Sequence, residues 1–323
     1  MRRLLFLSLV IFTCGCNPNS RQPAVVELAD APAFNADTAY HFITQQLAFG
    51  PRVPSTIGHQ LCGDFLVGKL TEYGLSVTEQ KDTIIGFNQR PFPLRNIICS
   101  VNPENKERIL LCAHWDSRPY TDQDVENRED SLIGANDNAS GVSVLLEIAR
   151  NLGVSKPKIG IDLVFFDMED QGRPAYDADA NSADHGYCLG SKYWAENRVG
   201  VKPSFGILLD MVGAENAEFT MEGTSVKHAK STLNQVWDLA TQLGYSQNFR
   251  YNLTRAITDD HSNVIEIAEI PCIDIIQYDA STPTGFGKYW HTHNDNLSII
   301  DKKTLKAVGH TLQQLLYNQG TKK

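Results

Sequence analysis

The chain has 323 residues, of which 42% are hydrophobic and 21% are charged, and its formal net charge is −9. This length allows one large domain or two small ones, and the composition is ordinary for a globular protein. The excess of acidic residues argues against a nucleic-acid partner, because phosphate binding needs a basic face.

The N-terminus has the pattern of an export signal. Two arginines precede an apolar run over residues 4–12, which is too short to span a bilayer as a mature helix. The run ends near Cys14 and Cys16, in an arrangement that resembles a bacterial lipobox. We therefore predict a lipoprotein-type signal peptide over residues 1–16 with Cys16 as the lipidated residue. Lipidation at Cys14, or an ordinary cleaved signal with incidental cysteines, is the alternative.

The stretch that follows the signal is polar. Residues 17–36 contain three prolines and predict a flexible tether, which leaves residues 37–323 for one folded catalytic domain. We expect an exported, lipid-anchored protein that faces the periplasm or the cell exterior. It would contact a membrane only through its N-terminal lipid anchor, and we expect a monomer.

The remaining pattern alternates between strands and helices. Helices are predicted over residues 38–48, 59–73, 140–152, 190–197, 226–243 and 302–317, and early strands over 75–80 and 96–101. Compact apolar runs, typical of strands buried on both faces, cover residues 108–114, 161–167, 205–210 and 272–276. This alternation predicts a single α/β domain whose mostly parallel central β-sheet is flanked by helices on both faces.

Polar residues stand at the ends of three of these apolar runs. His114, Asp167 and Asp210 each end a predicted buried strand. In open α/β sheets the ligand site lies outside the carboxyl ends of the strands. One such residue would mean little, but three of them predict a metal site or an acid–base site at one edge of the sheet.

Further candidates lie in loops between the predicted elements. They are Asp137, the pair Glu169-Asp170, the run Asp259-Asp260-His261 and the pair Trp290-His291. Zinc takes histidine nitrogen and carboxylate oxygen as ligands, and a catalytic zinc site keeps one position open for substrate. In a pair of neighbouring carboxylates, one group can bind the metal while the other moves a proton.

In this order, the motifs resemble zinc aminopeptidases of the co-catalytic exopeptidase fold. They more closely resemble the glutaminyl-peptide cyclotransferases of the animal type and their bacterial relatives. The resemblance covers roughly residues 37–317. Its specific pieces are Ala113-His114-Trp115-Asp116-Ser117, Phe165-Phe166-Asp167-Met168-Glu169-Asp170, Leu208-Leu209-Asp210-Met211-Val212-Gly213-Ala214, Asp259-Asp260-His261 and Trp290-His291-Thr292.

The resemblance implies a glutaminyl cyclase, which converts the N-terminal glutamine of peptides or proteins to pyroglutamate and releases ammonia. It implies one Zn²⁺ per chain, bound by Asp137, Asp170 and His291. Glu169 would be the general base and acid, with Asp210 and Asp259 as hydrogen-bonding carboxylates beside it.

Other residues would shape the surroundings of this site. Trp290 is expected to wall the glutamine pocket, and Trp115 and His114 are candidates for its lining. Core packing for Trp115 and strand capping for His114 are the alternatives. Asp116, Asp260 and His261 are expected to support the site from behind.

The chain departs from the animal enzymes at two points. Those enzymes have Glu-Glu where this chain has Glu169-Asp170, so the ligand geometry must adjust to a shorter side chain. They also carry a tryptophan in the loop after the paired acids, and Trp194 and Tyr187 are the candidates to replace it here.

The main alternative is a two-zinc aminopeptidase of the same superfamily. In that interpretation Glu169 activates a bridging water between two metals about 3.5–4 Å apart. The metal ligands would be His114, Asp137, Asp170, Asp210 and His291. Asp259, at a position where such peptidases tend to have Ser or Thr, favours the cyclase. Trp290, directly before His291, and Asp170 also favour the cyclase. A non-catalytic binding ectodomain would predict a broken site, but the chain retains all the candidate residues.

Overall fold

Eight strands and seven helices follow one another along the chain in a computed structural model that describes residues 23–180 and 186–319. The strands are β1 (Ser76–Ile85), β2 (Pro91–Val101), β3 (Arg108–His114), β4 (Gly160–Phe166), β5 (Phe205–Asp210), β6 (Phe219–Met221), β7 (Phe249–Leu253) and β8 (Cys272–Ile276). The helices are α1 (Ala36–Leu47), α2 (Ile57–Glu72), α3 (Ala139–Val154), α4 (Leu189–Glu196), α5 (Gly223–Gln242), α6 (Asp260–Glu266) and α7 (Lys302–Gln319), with a short 3₁₀ helix at Leu297–Ile299.

Six strands form the central sheet in the order β1-β2-β4-β3-β5-β8. Strands β4, β3, β5 and β8 are mutually parallel, whereas β1 and β2 form an antiparallel hairpin that pairs with β4. The four parallel strands are the four apolar runs of the sequence. The prediction of an α/β domain with a mainly parallel sheet is confirmed.

Helices cover both faces of this sheet. In β3, Ile109 and Leu111 belong to the core beneath α1, α2, α3, α5 and α7, while Leu110 and Cys112 belong to the core beneath α4 and α6. Successive side chains of a strand point to opposite faces, so both sets can be apolar only when both faces are buried. This layering leaves the carboxyl ends of the parallel strands as the place where polar side chains collect.

Two strands, one α-helix and the short 3₁₀ helix were not predicted. Strands β6 and β7 form a separate two-stranded ladder, and α6 begins where the sequence showed only a polar cluster. Asp259 is the N-cap of α6 and takes part in a capping box with Ser262. The helix has only seven residues, and its first four are polar, so the sequence contains no apolar periodicity that would indicate a helix.

The segment before α1 is attached to the domain. The side chain of Asn318 accepts a hydrogen bond from the backbone N–H of Ala29 at 2.8 Å, and Gln314 donates to the Ala29 carbonyl at 2.8 Å. Phe34 is buried in the main core. The folded domain therefore begins earlier than the predicted boundary at residue 37. The predicted signal peptide and Cys16 lie outside the described residues, so the export and lipid-anchor assignments stay predictions.

Within the described ranges, no helix combines the length and the apolar character that crossing a membrane would require. The five cysteines after residue 16 are buried and unpaired. Cys112 and Cys272 lie in the core, as the apolar runs around them predicted.

Glu222 provides a test of how the start of α5 is stabilised. Its carboxylate accepts hydrogen bonds from the backbone N–H groups of Thr224 and Ser225 and lies 3.4 Å from His261 Nε2. Burial alone would raise the pKa of Glu222, but His261 and the two N–H groups lower it to about 2. A lowered pKa means that this stabilisation is complete above pH 4.5 and is lost as the pH falls toward 2.

We therefore expect Glu222→Gln to lower the free energy of unfolding by about 1.5–3 kcal/mol at pH 7. Urea unfolding should show a smaller difference between variant and parent at pH 3.5. Glu72→Gln, at an exposed helix position paired with Lys69, should have little effect at either pH. An equal loss for Glu222→Gln at both pH values would contradict the proposed charge dependence.

Candidate active site

Side chains from separate strands and loops meet at the carboxyl edge of the parallel strands. His114 ends β3, Asp210 ends β5, and Asp167 directly follows β4. Asp167 is tied to the fold, because it accepts hydrogen bonds from the backbone N–H of Arg95 at 2.7 Å and pairs with His59 Nε2 at 2.8 Å. The other two residues point into a buried cluster of acids and histidines.

The first part of the cluster surrounds His114. Its Nε2 lies 3.1 Å from Asp137 Oδ1 and 3.3 Å from Asp210 Oδ1, and its Nδ1 lies 3.4 Å from Asp116 Oδ1. Ligand atoms of His114, Asp137 and Asp210 lie within 4.8 Å of one another. His114 was predicted to line the substrate pocket; the structure instead places its ring among three carboxylates.

The second part contains the three predicted zinc ligands. His291 Nε2 lies 3.4 Å from Asp170 Oδ1 and 3.6 Å from Asp137 Oδ2. Ligand atoms of Asp137, Asp170 and His291 also lie within 4.8 Å of one another, and all three residues are buried. Asp137 thus belongs to both parts and uses a different carboxylate oxygen toward each histidine.

The loop that carries Asp137 is held from two sides. Asn138 caps α3 by accepting a hydrogen bond from the backbone N–H of Gly141, and it donates to the carbonyl of Leu209 at 2.7 Å. The carboxylate of Asp295 accepts the backbone N–H groups of Asn136 and Asp137 at 2.7 and 3.0 Å. Burial and the nearby Asp137 raise the pKa of Asp295 to about 7.

A buried ion-pair chain holds His291 and Asp170. Asp122 Oδ1 lies 3.2 Å from His291 Nδ1 and accepts a 2.9 Å hydrogen bond from Arg118 Nε. Arg118 Nη1 also lies 3.1 Å from Asp170 Oδ1. Burial works to raise the pKa of Asp122, but His291 and Arg118 hold it well below its usual range. A carboxylate behind a ligating histidine fixes the ring orientation and tautomer.

Sequence reasoning missed Arg118, Asp122 and Asp295. All three lie in loops, away from the carboxyl ends of the apolar runs from which His114, Asp167 and Asp210 were predicted. The only available signal was position, since Arg118 follows the His114-Trp115-Asp116 motif by two residues and Asp295 follows His291 by four.

Asp116 holds the backbone of the acidic pair. Its carboxylate accepts the backbone N–H groups of Glu169 at 3.1 Å and Asp170 at 3.2 Å, together with the side-chain amide of Gln171 at 2.9 Å. These bonds fix the backbone of the pair, so that the two neighbouring carboxyl groups reach different parts of the cluster.

Glu169 is only 9% exposed, and the charges of Asp170 and His114 act on its carboxyl group. Its Oε1 accepts a hydrogen bond from the Cys188 thiol at 3.2 Å. Potential ligand atoms of Glu169, Cys188 and Asp259 lie within 4.8 Å of one another. Burial, opposed by His114 and reinforced by Asp170 and Asp259, raises the pKa of Glu169 well above its ordinary value. A carboxyl group with a raised pKa is suited to accept and return a proton.

The acids around Glu169 are buried too. Burial raises the pKa of Asp210 to about 8, with His114 opposing and Asp137 adding to the shift. Asp259 and Asp260 stand at the start of α6, and burial raises the pKa of both. His261 lies 3.9 Å from Asp274 Oδ2 and near Glu222, so it borders the cluster from behind.

The two candidate tryptophans have different surroundings. Trp290 stacks on the ring of His291, with 3.7 Å between centroids, and stays partly exposed beside Phe286. Trp115 has no exposed surface, stacks on His59 at 4.2 Å and donates to the Arg95 carbonyl. The prediction that Trp115 lines the pocket is therefore corrected: it is a core residue, because its indole has no free face for a substrate.

The two candidates to replace the loop tryptophan of the animal enzymes lie in different places. Trp194 lies in α4 and is buried against Phe166. Tyr187 lies at the cluster, where the Arg118 guanidinium carbon is 5.2 Å from its ring centroid. Only Tyr187 is close enough to the acids to border a bound substrate.

The cluster has the chemistry of a zinc site. Several buried donor atoms in both parts have no hydrogen-bond partner among the described residues, including Asp170 Oδ2, Asp210 Oδ1 and His114 Nε2. Burying several carboxylates together is unfavourable unless protons or a cation compensate their charge. Imidazole and carboxylate donors are the ligand set of catalytic zinc, so the residues fit this metal.

Residues 96–316 match the sequence profile of Peptidase family M28. The chain belongs to this family. Its fold, with helices on both faces of a mainly parallel sheet, agrees with the solved structures of similar chains. Its relatives confirm the resemblance to glutaminyl-peptide cyclotransferases that the motifs indicated.

Two solved structures and one curated relative show the range of similarity. Glutaminyl cyclase from Tannerella forsythia is 46% identical, with a TM-score of 0.85 over 90% of this chain and 100% of that one. A Zn-dependent exopeptidase from Parabacteroides distasonis is also 46% identical, with a TM-score of 0.87 over 90% of this chain and 100% of that one. The glutaminyl-peptide cyclotransferase of Bos taurus is 24% identical over 81% of this chain and 76% of its own length.

Proposed function

We propose that the M28 chain described here is a zinc-dependent glutaminyl cyclase acting on peptides or proteins with N-terminal glutamine. The observation that carries the proposal is the convergence of ligand atoms of Asp137, Asp170 and His291, together with a buried Glu169 carboxyl group on which the charges of Asp170 and His114 act. The partly exposed indole of Trp290 stands at the edge of this group. The similarity to solved glutaminyl cyclases at 46% identity supports the same activity.

The reaction forms one bond and breaks another. The α-amine nitrogen of glutamine attacks the γ-carboxamide carbon, the ring closes, and the amide nitrogen leaves as ammonia. Zinc held by Asp137, Asp170 and His291 would supply a Lewis acid for the amide carbonyl. Glu169 accepts the proton that the amine loses and returns a proton to the leaving nitrogen.

The remaining residues set the conditions for this proton transfer. Burial and the nearby acids Asp170 and Asp259 favour the protonated form of Glu169 between the two steps. Trp290 offers an apolar wall for the glutamine side chain and helps to exclude water, the competitor that would turn ring closure into hydrolysis. Because amine and amide belong to the same residue, the pocket needs only to hold the folded conformer.

One observation also favours the aminopeptidase alternative. The two parts of the cluster share Asp137, and each supplies a histidine and a second carboxylate, which is the arrangement that two neighbouring metals require. One zinc per chain is expected for the cyclase, whereas the alternative requires two.

We expect ammonia release from a Gln-initiated dipeptide and little hydrolysis of a Leu-arylamide by the same preparation. Both assays should be run with and without a zinc chelator, and zinc per chain should be measured in parallel. About one zinc with glutamine cyclisation supports the proposal. Two zinc ions with leucine release would replace it with the aminopeptidase.

A further inference from the structure

A cavity of about 550 Å³ opens beside the cluster, between the starts of α4, α5 and α6. The residues that matter for its chemistry are Tyr187, Cys188, Lys192, Lys227, His228 and Thr258. This basic cavity has the volume of an ordinary small-ligand site. Trp290 and the three candidate zinc ligands are not among its lining residues.

The basic cavity shares a wall with the catalytic cluster. Cys188 lines it and donates its thiol hydrogen to Glu169 Oε1 at 3.2 Å. Tyr187 lines it and also lies against Arg118. Thr258 lines it and directly precedes Asp259 in the chain. The Cys188 side chain therefore stands between the cavity and Glu169, so the two lie one side chain apart.

The charge of the cavity is opposite to that of the whole chain. Lys192 and Lys227 are both exposed, and neither forms an ion pair with any residue that the structure describes. His228 adds a third basic group, and Glu266 is the one acidic lining residue. In a chain of net charge −9, this local excess of positive charge attracts anionic groups.

We propose that the basic cavity is the subsite for the two or three residues that follow the N-terminal glutamine, and that it favours acidic side chains there. The inference rests on the proposed cyclase function. A substrate with its reacting residue at the N-terminus can continue only in the C-terminal direction, and each extended residue adds about 3.3–3.6 Å. Lysine side chains beside an otherwise acidic site would then select peptides by charge.

The test compares Gln-Ala-Ala-amide with Gln-Glu-Glu-amide, since amidation removes the terminal carboxylate. The parent enzyme should show a higher kcat/KM for the acidic peptide by about fivefold at low ionic strength, mainly through KM. Added salt should reduce this preference, because it screens exposed charges.

The Lys192→Glu/Lys227→Glu double variant should lower the ratio of acidic to neutral kcat/KM by about tenfold, since attraction becomes repulsion. Lys306→Glu, a matched charge reversal on α7 away from the cavity, should leave the ratio unchanged. A parent ratio near one, or a ratio that the double variant does not alter, would overturn the subsite. Failure of the parent to release ammonia from either peptide would contradict the proposed function itself.

Discussion

Glu169→Gln is expected to reduce kcat and kcat/KM for a Gln-initiated peptide by about 10²–10⁴-fold. The amide keeps the size of the side chain but cannot take the proton from the attacking amine or return one to the departing nitrogen. Because only the transition state uses this transfer, both kinetic constants should fall together while KM changes little. Steady-state ammonia release measures the effect.

Folding and metal content distinguish this effect from structural damage. The pKa of Glu169 is raised by burial, so a neutral glutamine should leave the unfolding midpoint unchanged or raise it. Zinc content should remain at the parent level, because the three candidate ligands are intact. Glu169→Asp, which keeps a carboxylate but shortens its reach, should retain intermediate activity. Full activity in Glu169→Gln would remove Glu169 from its catalytic role.

The second large effect is expected for Asp137→Asn, because Asp137 belongs to both groups of candidate ligands. The variant keeps the backbone N–H that Asp295 accepts but loses the negative charge that the two histidines face. We expect zinc affinity to fall by more than about 100-fold, which exceeds the usual cost of changing a residue behind a ligand. Cyclase activity should fall with it.

Thermal unfolding with and without zinc measures this loss independently of activity. Zinc at 100 times its dissociation constant should stabilise the parent by about 2.7 kcal/mol, and the variant should gain little. Asp162→Asn, at a partly exposed position of β4 that pairs with Arg108, should keep the full zinc response. A zinc response in Asp137→Asn equal to that of the parent would show that this residue is not a ligand.

The local sequence was sufficient to predict the framework. The four buried runs are the four parallel strands, because burial on both faces requires an uninterrupted apolar run that only a few consecutive residues encode. His114 and Asp210 were found because they interrupt such runs at the last position. Asp137, Asp170, His291 and Glu169 came from motif resemblance. The fold brings ligand atoms of the first three within 4.8 Å of one another and groups Glu169 with Cys188 and Asp259.

Only the tertiary structure decided what stands around those residues. Arg118, Asp122 and Asp295 reach the cluster from loops whose sequences carry no periodic pattern, so no local signal distinguishes them from other surface polar residues. Trp115 precedes Asp116 by one residue, yet it faces the core, because the chain direction after β3 turns its indole toward His59. Short-range patterns determine whether a segment is buried, whereas long-range packing determines which side chains meet.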